Sequence, residues 1–252
     1  MKQRDEFGFP VGEGWPAIDA EAMAEVDLLM VETFGISLPQ MMENAGRALA
    51  TLARRRYLAG DARGRRVVVL AGSGGNGGGA LTAGRRLACW GAELSVVLAR
   101  DAGAMTGVPA GQLAILGQMG IHPGEVPSGP MDLILDGLVG YSLRGRPRGR
   151  AAQLIAWANA QAAPTLSLDV PSGFDAANGN ILDPAMVADA TLTLALPKRG
   201  LTAAALAQAV GALYLADISV PPGLYARLPE PLAVPPFATG DILRLLRPGE
   251  AA

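Results

Sequence analysis

Two hydrophobic periodicities alternate along the chain. Residues 67–71 (VVVLA) are apolar without a polar break and mostly β-branched, the pattern of a strand buried on both faces of a parallel sheet. Residues 93–98, 132–139, 165–169, 190–196 and 212–218 repeat that pattern. Helical stretches separate them: one opening at Ala80, one over 107–119 and one over 150–162. Ahead of the first strand, Asp19 can cap a helix running to about Thr33, with Ala22, Val26, Leu29 and Met30 on one face. Ser37 and Pro39 start a second helix that reaches about Tyr57. Strands joined through helices at this spacing predict an α/β fold with a doubly wound, mostly parallel sheet and helices on both faces. Residues 1–17 carry Gly and Pro and read as extended, and the segment from Pro221, with six prolines by Pro236, reads as a wrap-around or linker. The expected division is a single domain over 1–220 and a Pro-rich C-terminal tail over 221–252.

Composition narrows the function classes. The chain has 252 residues, half of them apolar, enough for a sizeable core. A net charge of −2 gives no general attraction to nucleic acid or anionic lipid, so neither is expected as a partner. One cysteine excludes an internal disulfide, and the N-terminus lacks the apolar stretch of a signal peptide. The most apolar window, 201–220, contains Gln208 and Asp217 and is too short for a membrane span. A cytoplasmic location is expected. Cys89 is expected to be buried as a small apolar residue, and His122, beside Pro123, to be a surface histidine.

The candidate chemistry sits at strand ends, where ligands bind in such sheets. Gly72, Gly74, Gly75, Gly77, Gly78 and Gly79, interrupted by Ser73 and Asn76, follow the first strand and precede a helix. A strand, a turn nearly free of Cβ atoms and a helix N-terminus make an anion site. Asp136 ends another strand and leads into the loop 140–146; Asp169 ends the next, before Pro171-Ser172-Gly173; Lys198 follows Leu196-Pro197. The glycine loop satisfies G-x-G-x-x-G, a weak motif alone, but Leu98, Ala99 and Arg100 stand where the ribose-binding acid of a dinucleotide fold belongs. Arg100 would suit a 2′-phosphate and is the sole support for an NADP-dependent reductase. No Gly-Lys-Ser/Thr follows, which excludes a P-loop, and one Cys with one His disfavours a zinc site.

These residues carry a resemblance. Phe34-Gly-Ile-Ser and Met42-Glu-Asn-Ala-Gly46, the glycine loop, Asp136 through Arg146, Leu168-Asp-Val-Pro-Ser-Gly-Phe-Asp175 and Leu196-Pro-Lys198 resemble, in order, motifs of the YjeF N-terminal domain family. Its characterised members are NAD(P)H-hydrate epimerases. The resemblance covers roughly residues 18–220 and implies a three-layer Rossmann-like fold and an isomerase that interconverts the R and S forms of hydrated NADH or NADPH. It implies that the substrate is held by Gly75, Asn76, Gly77, Gly78 and Gly79, by Gly140, Tyr141, Ser142, Leu143, Arg144, Gly145 and Arg146, and by Asp169. It implies a potassium ion on Asn76, Asp136 and Ser172. Asp169 is then expected to act as the general acid. A separate dehydratase is implied as pathway partner, and a homodimer is left open.

The loop departs from the family's G-P-G-N-N-G-G-D-G. Gly75 stands for Asn and Gly79 for Asp, while Ser73 replaces Pro and Ala80 replaces Gly. Restoring a carboxylate at Gly79 is expected to tighten ligand binding. The alternative from another class is a non-catalytic nucleotide- or protein-binding module of the same fold, for which the cluster Arg144, Arg146, Arg148 and Arg150 is the best support.

Overall fold

The structure, a computed structural model, describes residues 3–176, 179–247 and 250. Residues 1–2 of the expected extended segment and 248–249 and 251–252 of the expected tail lie outside the described residues. The elements in chain order are β1 (Val11–Gly12), α1 (Ala20–Glu32), α2 (Leu38–Arg56), β2 (Arg66–Ala71), α3 (Gly75–Cys89), β3 (Glu93–Leu98) and α4 (Gly107–Gln118). They continue as β4 (Leu133–Gly137), α5 (Gly149–Asn159), β5 (Thr165–Leu168), β6 (Phe174–Asp175), β7 (Asn180–Ile181) and β8 (Ala190–Leu194). The last are α6 (Ala207–Val210), β9 (Ala212–Ala216), α7 (Pro222–Tyr225) and β10 (Ile242–Leu245).

The main sheet has eight strands in the order β1-β10-β9-β8-β5-β4-β2-β3, and every pairing from β9 through β3 is parallel. The order reverses around β2, which pairs β3 on one edge and β4 on the other. That places the crevice at the carboxyl ends of β2 and β4. β2, β4, β5 and β8 are buried along almost their whole length, matching their unbroken apolar runs.

Both opening helices form where the caps predict. Asp19 Oδ1 accepts from the Ala22 N–H at 2.9 Å, and Gln40 Oε1 accepts from the Ser37 N–H at 2.8 Å. Met23, Val26 and Met30 are the fully buried positions of α1. Just ahead of that helix, the Ile18 N–H donates to Pro197 O at 2.9 Å and Ile18 O accepts from the Arg199 N–H at 2.8 Å, which pins α1 beside Lys198.

Three elements differ from expectation. The segment after Pro221 wraps back and returns to the sheet, where β10 pairs antiparallel with β9 and is itself paired by β1. Its buried Arg244, with Nη1 donating to Leu213 O at 2.9 Å, interrupts the apolar run and hid the strand. Cys89 is exposed, because it falls on the last turn of α3 facing away from the sheet. α3 begins at Gly75, five residues before Ala80. None of the glycines from Gly72 to Gly79 has a positive φ; close approach selects glycine at Gly72, Gly77, Gly78 and Gly79, whereas a Cβ at Gly74 would meet nothing within 4 Å. A Cβ at Gly72 would lie 1.9 Å from Leu138 O, and one at Gly77 1.8 Å from Gly72 O.

Candidate active site

A cavity of about 560 Å³ opens at the carboxyl ends of β2, β4 and β5, within the size range of small-molecule sites. Its walls include Ser73, Gly74, Gly75 and Asn76, the loop residues Gly140, Tyr141 and Ser142, and the side chains of Asp27, Asp169 and Lys198. Arg100 and Arg148 stand at its rim, both exposed and without an ion pair among the described residues. A second, more open cavity of about 830 Å³ beside β3 shares Ala99 and Arg100 with the first.

The glycine segment supplies the floor. Because α3 starts at Gly75, the N–H groups of Gly75, Asn76 and Gly77 have no acceptor four residues back inside the helix, and the positive end of the helix dipole points at the cavity. Gly77, Gly78 and Gly79 are buried below this surface and do not line it. A Cβ at Gly79 would meet Leu168 Cδ2 at 2.6 Å and Met42 Sδ at 3.6 Å, so a side chain there would point into the packing between α2 and β5. The expectation that a carboxylate at Gly79 would reach the ligand is therefore corrected. In the loop, Gly140, Tyr141 and Ser142 line the cavity, whereas Leu143, Arg144, Gly145 and Arg146 lie outside it. Arg150 is turned to Glu125 Oε2 at 2.5 Å.

Asp136 is fully buried at the end of β4. Its Oδ1 accepts from Ser172 Oγ at 2.6 Å and the Leu138 N–H at 3.2 Å; its Oδ2 accepts from Ser167 Oγ at 2.8 Å and the Ser172 N–H at 2.9 Å. Burial pushes its pKa up, against the pull of these donors from Ser172, Ser167 and Leu138. Ser172 Oγ also accepts from the Val139 N–H at 2.9 Å. Asn76 donates from Nδ2 to Leu168 O at 2.7 Å, and its Oδ1 lies against Gly140, where a Cβ would come within 2.5 Å of it. Asn76, Asp136 and Ser172 thus lie around the ends of β4 and β5. Among the described residues no group of three or more His, Cys, Asp or Glu side chains forms a metal cluster.

Asp169 sits on a strained backbone. Its φ is 65°, in the left-handed region, and Ala195 across from it has φ 61°. Both follow the ends of neighbouring parallel strands, β5 and β8. Oδ1 is in an ion pair with Lys198 Nζ, and the two side chains are 2% and 1% exposed. Lys198 Nζ also donates to Leu194 O at 2.8 Å. Asp169 Oδ2 is buried and has no hydrogen-bond partner among the described residues. Unpartnered buried carboxylate oxygens are costly and call for an explanation, and Asp169 is a residue of the cavity wall.

Sequence reasoning missed Asp27. It comes from α1, and Tyr141 Oη donates to its Oδ2 at 2.6 Å. Burial raises the Asp27 pKa, with the Tyr141 hydrogen bond and Lys198 pulling it down and Asp169 pushing it up. Burial and the neighbouring Asp27 likewise raise Tyr141. The available signal was spacing: Asp27 stands four residues after Met23 and three before Met30, on the buried stripe of α1.

A doubly wound sheet whose switch-point cavity is floored by a glycine-rich helix N-terminus defines an α/β protein built to bind a small anionic ligand at its carboxyl edge. A family model described as YjeF-related protein N-terminus matches residues 38–200, and the chain belongs to that family. It is 43% identical over 244 residues to a protein of Dehalogenimonas lykanthroporepellens named NAD(P)H-hydrate epimerase, covering 95% of this chain and 97% of that one. It is 32% identical over 233 residues to the bifunctional NAD(P)H-hydrate repair enzyme Nnr of Salinibacter ruber, covering 85% of this chain and 43% of that one. The crystal structure of the yeast protein ynu0, YNL200c, superposes with a TM-score of 0.75 at 25% identity over 91% of this chain and all of that one.

Proposed function

We propose that this chain is an epimerase that interconverts the R and S forms of hydrated NADH and NADPH. One observation carries it: a buried carboxylate, Asp169, lines a cavity floored by a helix N-terminus, is clamped by Lys198 through one oxygen, and has no hydrogen-bond partner on the other among the described residues. The near full-length likeness to a protein named for that activity supports the reading.

The substrate carries a hydroxyl on the ring carbon next to the nicotinamide nitrogen. Its pyrophosphate belongs over Ser73 to Asn76, where free N–H groups and the α3 dipole favour anions. The reacting ring then lies toward Asp169, Lys198, Tyr141 and Asp27. The nitrogen lone pair expels the hydroxyl once a proton reaches its oxygen, and water leaves behind a planar iminium. Water returning to the other face loses a proton and gives the opposite hand. Asp169 Oδ2 exchanges that proton, and Lys198 steadies the carboxylate as its charge changes. Of the four arginines of the expected binding cluster, Arg148 lines the cavity, Arg144 and Arg146 lie outside it, and Arg150 is paired with Glu125.

The donors of Asn76, Asp136 and Ser172 fit a potassium ion. They are all oxygens, and the buried Asp136 carboxylate has only neutral partners. Such an ion, when bound, offsets the negative charge that the substrate pyrophosphate brings near Asp136 and Asp169. No helix among the described residues is long and apolar enough to cross a membrane, and we place the reaction in the cytoplasm. The likeness to the bifunctional repair enzyme, of which the match covers 43%, supports a dehydratase as the pathway partner.

The test is the rate at which purified R and S hydrates interconvert with wild type and with Asp169→Asn. The variant keeps the shape of the side chain and should slow turnover by about 100-fold or more, the usual contribution of a positioned acid–base group. Equal rates in two correctly folded proteins would take the proton away from Asp169.

A further inference from the structure

We propose that Asp27 is a second proton-transfer group of this cavity, working with Asp169 so that one carboxyl serves each face of the substrate ring; this rests on the epimerase reading above. An epimerase must release oxygen from one face of a planar ring and accept it on the other. The departing hydroxyl needs a proton and the entering water must lose one, on opposite sides of the ring. Asp169 cannot serve both sides by moving, because its backbone is buried at a left-handed φ and Lys198 holds one of its oxygens.

The other ionisable groups of the cavity can be taken in turn. Lys198 is committed to Asp169 and to Leu194 O. The Tyr141 hydroxyl proton is spent on Asp27 Oδ2. Arg100 and Arg148 stand at the exposed rim and do not give up protons. Asp27 remains. It arrives from α1, not from a strand end, and Tyr141 stands between the two carboxyls: its hydroxyl bonds Asp27, and its ring centre lies 5.8 Å from Lys198 Nζ. The groups facing Asp27 are thus Tyr141, Lys198 and Asp169. Burial favours the neutral form of Asp27. With Oδ2 occupied by Tyr141, Oδ1 is the atom that carries the proton.

The step balances as follows. For one hand of substrate, Asp27 gives its proton to the ring hydroxyl, the C–O bond breaks with its electron pair going to oxygen, and water departs. A second water adds through its oxygen lone pair to the opposite face of the iminium and gives a proton to Asp169. One C–O bond is broken and one formed, nothing is oxidised, and the enzyme is left with Asp27 ionised and Asp169 protonated. That is the form that accepts the other hand, so the two carboxyls exchange roles in the reverse direction.

The test follows epimerisation of R and S hydrates in water enriched in heavy oxygen, with wild type, Asp27→Asn and Tyr141→Phe, over a range of pH, after confirming cooperative unfolding of each variant. The expected results are one solvent oxygen incorporated per inversion by wild type, a drop of about 100-fold in kcat for Asp27→Asn in both directions at little changed KM, and loss of one limb of its pH profile. Tyr141→Phe, which keeps the ring and removes only the hydroxyl, should shift that limb with a smaller loss of kcat. An active wild type whose kcat and pH profile survive Asp27→Asn would overturn the assignment while leaving the epimerase reading intact, as would inversion with retention of the original oxygen. A wild type no faster than the uncatalysed reaction would overturn both.

Discussion

Gly79 tests whether close packing or ligand contact governs the glycine segment. A Cβ there would lie 2.6 Å from Leu168 Cδ2, about an ångström inside ordinary carbon–carbon contact. Leu168 is itself fully buried and has little room to retreat. Gly79→Ala should gain about 1 kcal/mol of helix propensity and lose about 1–3 kcal/mol to overpacking. The net effect is a loss of up to about 2 kcal/mol. Gly79→Asp adds a carboxylate among Leu168, Met42 and Ala45, none of which offers a side-chain donor, and should cost about 2 kcal/mol more. A double-mutant cycle isolates the contact. Leu168→Ala alone should cost about 2–5 kcal/mol through its cavity. Combined with Gly79→Ala it should cost less than the sum, by about 0.5–3 kcal/mol, because the new methyl fills part of the space. Urea unfolding followed by tryptophan fluorescence gives each value. A Gly79→Asp protein as stable as wild type, binding hydrated cofactor more tightly, would refute this packing argument and restore a ligand role to the position.

Two further perturbations address the charges around the site. Burial raises Asp136 above its ordinary value of 3.8, so its protonated form stabilises the fold at low pH and that contribution is lost as pH rises through the raised value. Potassium held by the ionised carboxylate should offset the loss: its stabilising effect, about 2.7 kcal/mol at 100 times its Kd, should grow with pH and vanish in Asp136→Asn, as read by thermal unfolding with potassium or a bulky organic cation as counter-ion. Arg100, without an ion pair among the described residues and shared by both cavities, is placed to meet a 2′-phosphate; Arg100→Gln should raise KM for NADPH hydrate up to about tenfold and leave NADH hydrate unchanged, in parallel steady-state assays.

The sheet was legible because its central strands are buried on both faces, and burial of that kind writes itself as unbroken apolar runs such as residues 67–71. Asp136 and Asp169 stood out together: either carboxylate alone could cap the next helix, but two at the ends of apolar runs facing one glycine loop point to a site, with Lys198 at the end of a further run. The Asp169–Lys198 pair itself was not legible, since it depends on β5 and β8 being neighbours and on two left-handed residues, neither of them glycine. Asp27 was hidden because a polar residue on an amphipathic helix normally faces solvent, and only its place on the buried stripe distinguishes it. The glycines misled in one respect. Their lack of Cβ atoms read as a turn ahead of a helix opening at Ala80, whereas the helix begins at Gly75 and packs against Leu138 and Gly72 without side chains in the way.

The central claim is tested most directly by following each purified hydrate, R or S, by chromatography with catalytic amounts of the wild-type protein. Either hand should convert to the same R/S mixture well ahead of the spontaneous reaction, and faster with potassium than without. Conversion at the spontaneous rate from both directions, by protein that is folded and saturated with potassium, would contradict the epimerase assignment.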